Sequence, residues 1–178
     1  MTIPNGFNSW VSFILADEGP EVNRSPDEPG NISCYGISLT ALSDYNKAMN
    51  LPSPTADDVA NITAATASNF YSWFFSALNL DQVPAMVAYR IADIVTNLGR
   101  VGGMTCTQLC LCIFPVTGIM DAATLAAVKA ATPATLCLQL DAAWLAWKHN
   151  QTATGWGTYG KGWTARVLKV RARLGALT

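Results

Sequence analysis

The spacing of apolar side chains near the start of the chain predicts an amphipathic helix over residues 6–17. Apolar positions recur at i, i+3, i+4, i+7 and i+8 and are occupied by Phe7, Trp10, Val11, Ile14 and Leu15. That spacing places them on one face of a helix of 3.6 residues per turn. We expect the helix to end near Glu18-Gly19-Pro20, because glycine favours a helix stop and proline cannot continue the hydrogen-bond ladder.

Residues 19–36 have the composition of turns rather than of a regular element. They contain three prolines, three glycines and two asparagines, with almost no hydrophobic period. A short extended segment is expected around Cys34 to Ser38. An irregular stretch of this length inside a compact domain is uncommon and is more often functional than idle.

The rest of the chain is dominated by helical patterns. The predicted helices cover 39–49, 55–67, 69–78, 83–98, 104–112, 121–131, 134–149 and 161–174. Breaks are expected at 99–103 and 115–118, and the glycine-rich segment 152–162 is expected to be a loop. The aromatic-rich helix at 69–78 fits either a core element or a sugar-binding platform, and its composition favours the core. These patterns predict a mainly α protein with a small region of loops and short strands after the first helix.

Composition narrows the function classes. Of 178 residues, 11 are basic and 12 acidic, so the net charge is −1 and strong attraction to nucleic acid is not expected. All the acidic residues lie at or before Asp141, whereas residues 143–178 contain six cations: Lys148, Lys161, Arg166, Lys169, Arg171 and Arg173. This end suits an anionic partner or forms a solvated basic helix.

No membrane anchor or metal site is expected from the sequence. Apolar runs stay below the roughly 18 residues of a membrane span, and the first 16 residues lack the cationic start of a signal peptide. The five cysteines have no framework spacing and the chain has one histidine, so buried reduced thiols are favoured over a zinc cluster.

Three polar residues around the predicted helix stop form the strongest candidate for chemistry. Glu18 ends the helix, Asp27 follows nine residues later and Ser33 fifteen residues later. A glycosidase needs one carboxylic acid to protonate the leaving oxygen and a second polar group to stabilise charge or position water. Spacing alone favours a solvated helix end followed by a turn aspartate over a catalytic pair.

The run from Glu18 to Ser38 resembles the signature of glycosyl hydrolase family 108, E-G-G-Y-V-N-x-P-x-D-P-G-G-x-T-x-Y-G-I-T. Three later segments resemble further family motifs in the same order: Ile91 to Gly99, Gly118 to Leu125 and Gly162 to Val167. The spacing of Glu18, Asp27 and Ser33 is also similar to that of catalytic residues in phage lysozymes. The sequence departs from the signature at Pro20 and Glu21, by the additional Glu28, and by serine for threonine at position 33.

The resemblance implies a lysozyme-like fold in one unit over 1–178, with a catalytic-motif lobe at 1–85 and a helical lobe at 86–178. It implies an N-acetylmuramidase that cleaves bacterial peptidoglycan and needs no cofactor or metal. Glu18 would be the general acid, Asp27 would orient water or stabilise charge, and the Ser33 hydroxyl would assist. A lytic transglycosylase, and a wall-binding phage protein without activity, are the alternatives, and Asp27 argues against the first.

Further residues are candidates for substrate contact. Asp93 and Asn97 lie one helical turn apart and either line a groove or satisfy buried groups. Tyr35, Trp156 and Tyr159 are candidates for stacking on sugar rings. The family implies an endolysin, which we expect to be a monomer in the host cytoplasm without stable membrane insertion. It would reach the wall through a holin or an export system.

Overall fold

The computed structural model describes residues 5–24, 32–151 and 156–175. The chain divides into two compact units, which we call the small unit (Asn8–Ala77) and the large unit (Leu78–Thr178 with Met1–Phe7). Within the described residues, eight α-helices accompany one three-stranded sheet, so the fold is mainly α as predicted. The predicted arrangement of one unit with lobes 1–85 and 86–178 stays a prediction.

The first helix, α1 (Asn5–Glu18), ends where the sequence predicts. Gly19 follows with φ +63°, and its N–H donates to the carbonyl of Leu15 at 3.2 Å. A left-handed residue closing the last turn is a common helix stop, and glycine adopts it without steric cost.

The extended segment expected at 34–38 belongs to a small antiparallel sheet. A turn at residues 35–36 divides the segment between two strands. The strands are β1 (Asn23–Arg24), β2 (Ile32–Cys34) and β3 (Ile37–Ser38), in the order β1-β2-β3. Ser33 pairs with Asn23 on one side and with Ser38 on the other. The β2–β3 turn uses Tyr35 at φ 51° and Gly36 at φ 71°, and left-handed residues match the twist of a tight hairpin.

Three helices complete the small unit: α2 (Leu39–Ala48), α3 (Ala56–Ala60) and α4 (Ala64–Ala77). A capping box starts α3, with reciprocal bonds between Thr55 and Asp58. Those bonds from the Thr55 backbone and hydroxyl hold the pKa of Asp58 below its usual value. The prediction of one helix over 55–67 is wrong, because Thr63 accepts from the N–H of Thr66 at 3.1 Å and starts a new helix.

The aromatic side chains of α4 form the core of the small unit. Trp10 of α1 is fully buried, with its ring centroid 5.2 Å from Tyr71 and 5.7 Å from Phe75. Phe70 and Phe74 are also buried. The core interpretation therefore holds for these α4 side chains, whereas Trp73 is half-buried and packs edge-on against Tyr45 at 5.3 Å.

The large unit is built on α5 (Ala85–Cys110), which bends at Gly99 (φ 73°, ψ 166°). A break was expected over the whole of 99–103, but only Gly99 leaves the helical conformation and residues 100–103 continue it. Gly103 is buried, and a Cβ on it would lie 2.6 Å from the Val95 Cα. Glycine at 103 therefore permits a close backbone approach rather than a break.

We expect Gly103→Ala to destabilise the protein by about 3 kcal/mol, because backbone atoms must move to admit the methyl group. Gly102→Ala is the matched control: it lies in the same helix, and its Cβ would meet only the Leu98 Cβ, at 3.3 Å. There the better helix propensity of alanine should offset the contact. Urea unfolding of both variants measures the difference, and equal midpoints would contradict the close-approach explanation.

Three further helices pack in the large unit: α6 (Ala122–Ala130), α7 (Pro133–Gln151) and α8 (Trp156–Leu174). The expected break at 115–118 is present, and the buried Gln108 amide accepts from the N–H groups of Thr117 and Gly118. The loop predicted at 152–162 is wrong from residue 156 onward, where α8 begins, and its first part, 152–155, lies outside the described residues. Gly160 of α8 is buried, so packing stabilises a helix that intrinsic propensity disfavours.

Candidate functional site

Glu18 occupies the last position of α1 and is neither fully buried nor fully exposed. The apolar face of α1 anchors this end, since Trp10, Phe13 and Ile14 are at most 2% exposed. Glu18 is itself partly exposed, so it lies at the edge of this core. A general acid in a glycosidase needs such a place, because it must reach the substrate.

The Tyr35–Gly36 turn lies directly against this glutamate. A Cβ on Gly36 would lie 3.0 Å from Cγ and 3.2 Å from Cδ of Glu18, and 3.1 Å from the hydroxyl oxygen of Tyr71. The Tyr71 hydroxyl donates to the carbonyl of Tyr35 at 2.6 Å, and the Tyr35 N–H donates to the carbonyl of Gly19 at 3.1 Å. The turn is therefore held between α1 and α4.

Of the other site residues predicted in this unit, the structure describes Ser33 and Tyr35 but not Asp27. Ser33 is half-buried in the middle of β2, on the face opposite the buried Ile32 and Cys34. Asp27 lies outside the described residues. Tyr35 is brought beside Glu18 through its backbone, and its side chain is half-buried. The catalytic roles of Glu18, Asp27 and Ser33, and the substrate role of Tyr35, stay predictions.

Asp93 and Asn97 lie in the large unit on α5, where Asp93 belongs to a buried ion-pair network. Its carboxylate forms ion pairs with Arg90 at 2.5 Å and with Arg166 at 2.9 Å, and the side chains of Arg90 and Asp93 are 0% exposed. Asn97 donates from its amide to the carbonyl of Asp93 at 2.8 Å. This geometry favours the buried-group alternative for both residues, and a contact with substrate stays a prediction.

A second acid extends the network. Arg90 also pairs with Asp141 of α7 at 2.5 Å, and Asp141 forms a second ion pair with Arg171 of α8. The guanidinium of Arg90 lies 5.3 Å from the centroid of the buried Trp144 ring. Two arginines of the basic C-terminal end thus bind carboxylates of α5 and α7. Lys161, Lys169 and Arg173 are exposed on α8.

Trp156 and Tyr159, the remaining candidates for sugar stacking, belong to the first turn and a half of α8. Their side chains lie outside the described part of the structure. The stacking role therefore stays a prediction for both.

The cysteines are free thiols in differing surroundings. Cys34, Cys106 and Cys137 are buried as expected, Cys110 is half-buried and Cys112 is exposed. Burial raises the pKa of Cys106 to about 11 and that of Cys137 to about 12, so both are protonated near neutral pH. Among the residues that the structure describes, no three His, Cys, Asp or Glu side chains are grouped to hold a metal ion.

None of the described helices alone is long and apolar enough to cross a bilayer. One pair, Ala122–Ala130 with Pro133–Asn150, reaches that length and apolarity only when the two helices are taken together across a bend of 119°.

The small unit thus places a carboxyl group at a helix end beside a three-stranded sheet, as expected for the lysozyme-like class of glycosidases. The family model of glycosyl hydrolase 108 matches residues 11–99, half of the chain, and the chain belongs to that family. It is therefore a glycoside hydrolase. Among solved structures, Brucella abortus SagA is similar over 96% of this chain and 94% of its own, at 27% identity and a TM-score of 0.79. The search of curated proteins found no match.

Sequence reasoning missed four residues that the structure makes prominent: Gly36, Tyr71, Arg90 and Asp141. Arg90 carried a usable signal, because a lone arginine between Tyr89 and Ile91 in an apolar helix implies a buried acidic partner. Tyr71 carried none, since its neighbours in the sequence are aromatic core residues and its hydroxyl bonds to a residue 36 positions away.

Proposed function

We propose that the protein is an N-acetylmuramidase of bacterial peptidoglycan, with Glu18 as the general acid. It would hydrolyse the β-1,4 bond between N-acetylmuramic acid and N-acetylglucosamine. The observation that carries the proposal is the position of Glu18 at the end of α1, against the Tyr35–Gly36 turn, inside the segment that the family model matches.

Glycoside hydrolysis passes through an oxocarbenium-like state and commonly uses two carboxyl groups. In the proposed mechanism Glu18 protonates the oxygen of the leaving sugar, while Asp27 orients the attacking water or stabilises the developing charge. Ser33 assists through its hydroxyl. Both roles are met by carboxyl and hydroxyl groups, so the proposal invokes no cofactor.

The protein must also reach the cell wall and make contact with it. The protein would act as an endolysin that waits in the host cytoplasm as a monomer and reaches the wall through a holin or an export system. The exposed cations Lys161, Lys169 and Arg173 would face the anionic wall.

Mass spectrometry of the soluble fragments released from purified peptidoglycan tests the reaction directly. We expect fragments that end in reducing N-acetylmuramic acid, because water is the acceptor in hydrolysis. Fragments with anhydro-muramic ends would assign the protein to the lytic transglycosylases instead. Binding to the wall without any released fragment would favour the wall-binding alternative.

A further inference from the structure

Gly36, a glycine in a left-handed conformation, lies against the Glu18 side chain. The distances from a Cβ on Gly36 to Cγ and Cδ of Glu18, 3.0 and 3.2 Å, are shorter than ordinary van der Waals contacts. The absence of a side chain at position 36 therefore sets how closely the turn approaches the stem and carboxyl carbon of Glu18.

The turn that carries Gly36 is fixed by a buried hydroxyl. Tyr71 is 1% exposed, and its ring packs edge-on against Trp10 and Phe70, each at 5.2 Å between centroids. Its hydroxyl donates to the carbonyl of Tyr35 at 2.6 Å and lies 3.1 Å from the Cβ position of Gly36. Because the aromatic core holds the Tyr71 ring, this hydrogen bond ties the turn to a rigid support.

We propose that Tyr71 and Gly36 are positioning residues for Glu18. Tyr71 fixes the Tyr35–Gly36 turn, and Gly36 leaves the space in which the Glu18 carboxyl group takes its orientation for proton transfer. The inference rests on the proposed function, because it assumes that Glu18 is the acid. A displacement of about 1 Å in a reacting group can lower a rate about 100-fold, so small changes in this turn should act on kcat.

Gly36→Ala tests whether the space beside Glu18 that glycine leaves at position 36 is needed for catalysis. Its methyl group would push on Glu18 and on the Tyr71 hydroxyl, and we expect kcat on soluble peptidoglycan fragments to fall about 100-fold with little change in KM. Gly99→Ala is the control, since Gly99 also has a positive φ, +73°, nothing lies within 4 Å of its Cβ position, and it belongs neither to α1 nor to the Tyr35–Gly36 turn. It carries the same kind of backbone strain without the push, and we expect it to keep kcat within about threefold of wild type.

Tyr71→Phe removes the hydroxyl that supports the Tyr35–Gly36 turn and keeps the aromatic packing. We expect kcat to fall about 10-fold with KM unchanged, because the Tyr35 carbonyl loses its donor and the turn gains freedom. Tyr45→Phe is the control, since Tyr45 is a half-buried tyrosine of the same unit that packs on Phe70 and Trp73. It should retain wild-type kcat. A merely structural role for Tyr71 would lower the unfolding midpoint and leave kcat of the folded protein unchanged.

The outcomes separate this inference from the proposed function. If Glu18→Gln is inactive while Tyr71→Phe matches Tyr45→Phe in kcat, the positioning role is wrong and the acid assignment stands. If Glu18→Gln retains full activity, the proposed function fails at its catalytic residue. Should Gly36→Ala not fold, which circular dichroism would show, the Tyr71→Phe comparison decides the inference alone.

Discussion

Replacing Glu18 with glutamine is expected to reduce the release of glycan fragments from purified peptidoglycan by about 1,000-fold or more. Glutamine has nearly the same shape but carries no transferable proton, and general acid–base catalysis contributes typically about 10²- to 10⁴-fold. The fold should persist, because Glu18 lies at a helix end whose stop is set by Gly19 and whose anchoring is apolar. Release of reducing ends measures the rate, and using purified wall removes any dependence on export.

Glu21→Gln is the matched control for this experiment. It makes the same chemical change three residues further along, at an exposed position of the same unit, and we expect activity close to that of wild type. Full activity in Glu18→Gln would contradict the mechanism. Equal losses in both variants would indicate that the net charge of this surface, rather than the Glu18 proton, limits the reaction.

Replacing Asp93 with asparagine is expected to destabilise the protein by about 3 kcal/mol or more. Asp93 pairs with the fully buried Arg90 and with Arg166. Its removal leaves Arg90 to share Asp141 with Arg171, and loss of one partner from a buried ion pair typically costs about 3–5 kcal/mol. Urea unfolding measures the change in the free energy of unfolding. Asp44→Asn, on the exposed surface of α2, is the control and should unfold at the wild-type midpoint.

The same variant separates the two interpretations of Asp93. If Asp93 serves only the ion-pair network, the Asp93→Asn variant should bind and cleave substrate as the wild type does when it is kept folded at low temperature. A wild-type unfolding midpoint combined with weakened substrate binding would overturn that role and support the predicted substrate contact.

Local signals in the sequence were sufficient for several elements. The end of α1 follows from a glycine after an apolar helical stripe, and the start of α3 follows from the side chains of Thr55 and Asp58. The break at 115–118 likewise follows from proline and glycine. In each case the deciding hydrogen bond or dihedral angle lies within a few residues of the signal, so no knowledge of the tertiary fold was needed.

Predictions were wrong where packing outweighs propensity. The glycines between 156 and 162 predicted a loop, yet that segment is the start of α8. Gly103 predicted a break, but it lies within α5 and allows the part of this helix after the Gly99 bend to approach Val95 in the part before it. A glycine that is required by a close contact and one that is required by a turn are the same letter in a sequence, and only the neighbours in space distinguish them.

The sequence by itself determined that the protein is mainly α, and it placed Glu18 at a helix end and revealed the motifs of its family. Tertiary structure decided what surrounds those residues. It brought Tyr71 to the carbonyl of Tyr35, and it joined Arg90 to Asp141, 51 positions away along the chain. Helix ends and caps are formed by hydrogen bonds between near neighbours in the chain and so leave local patterns. A buried hydroxyl or ion pair is selected by partners that only folding brings together, because its cost of desolvation is compensated only once those partners are in place.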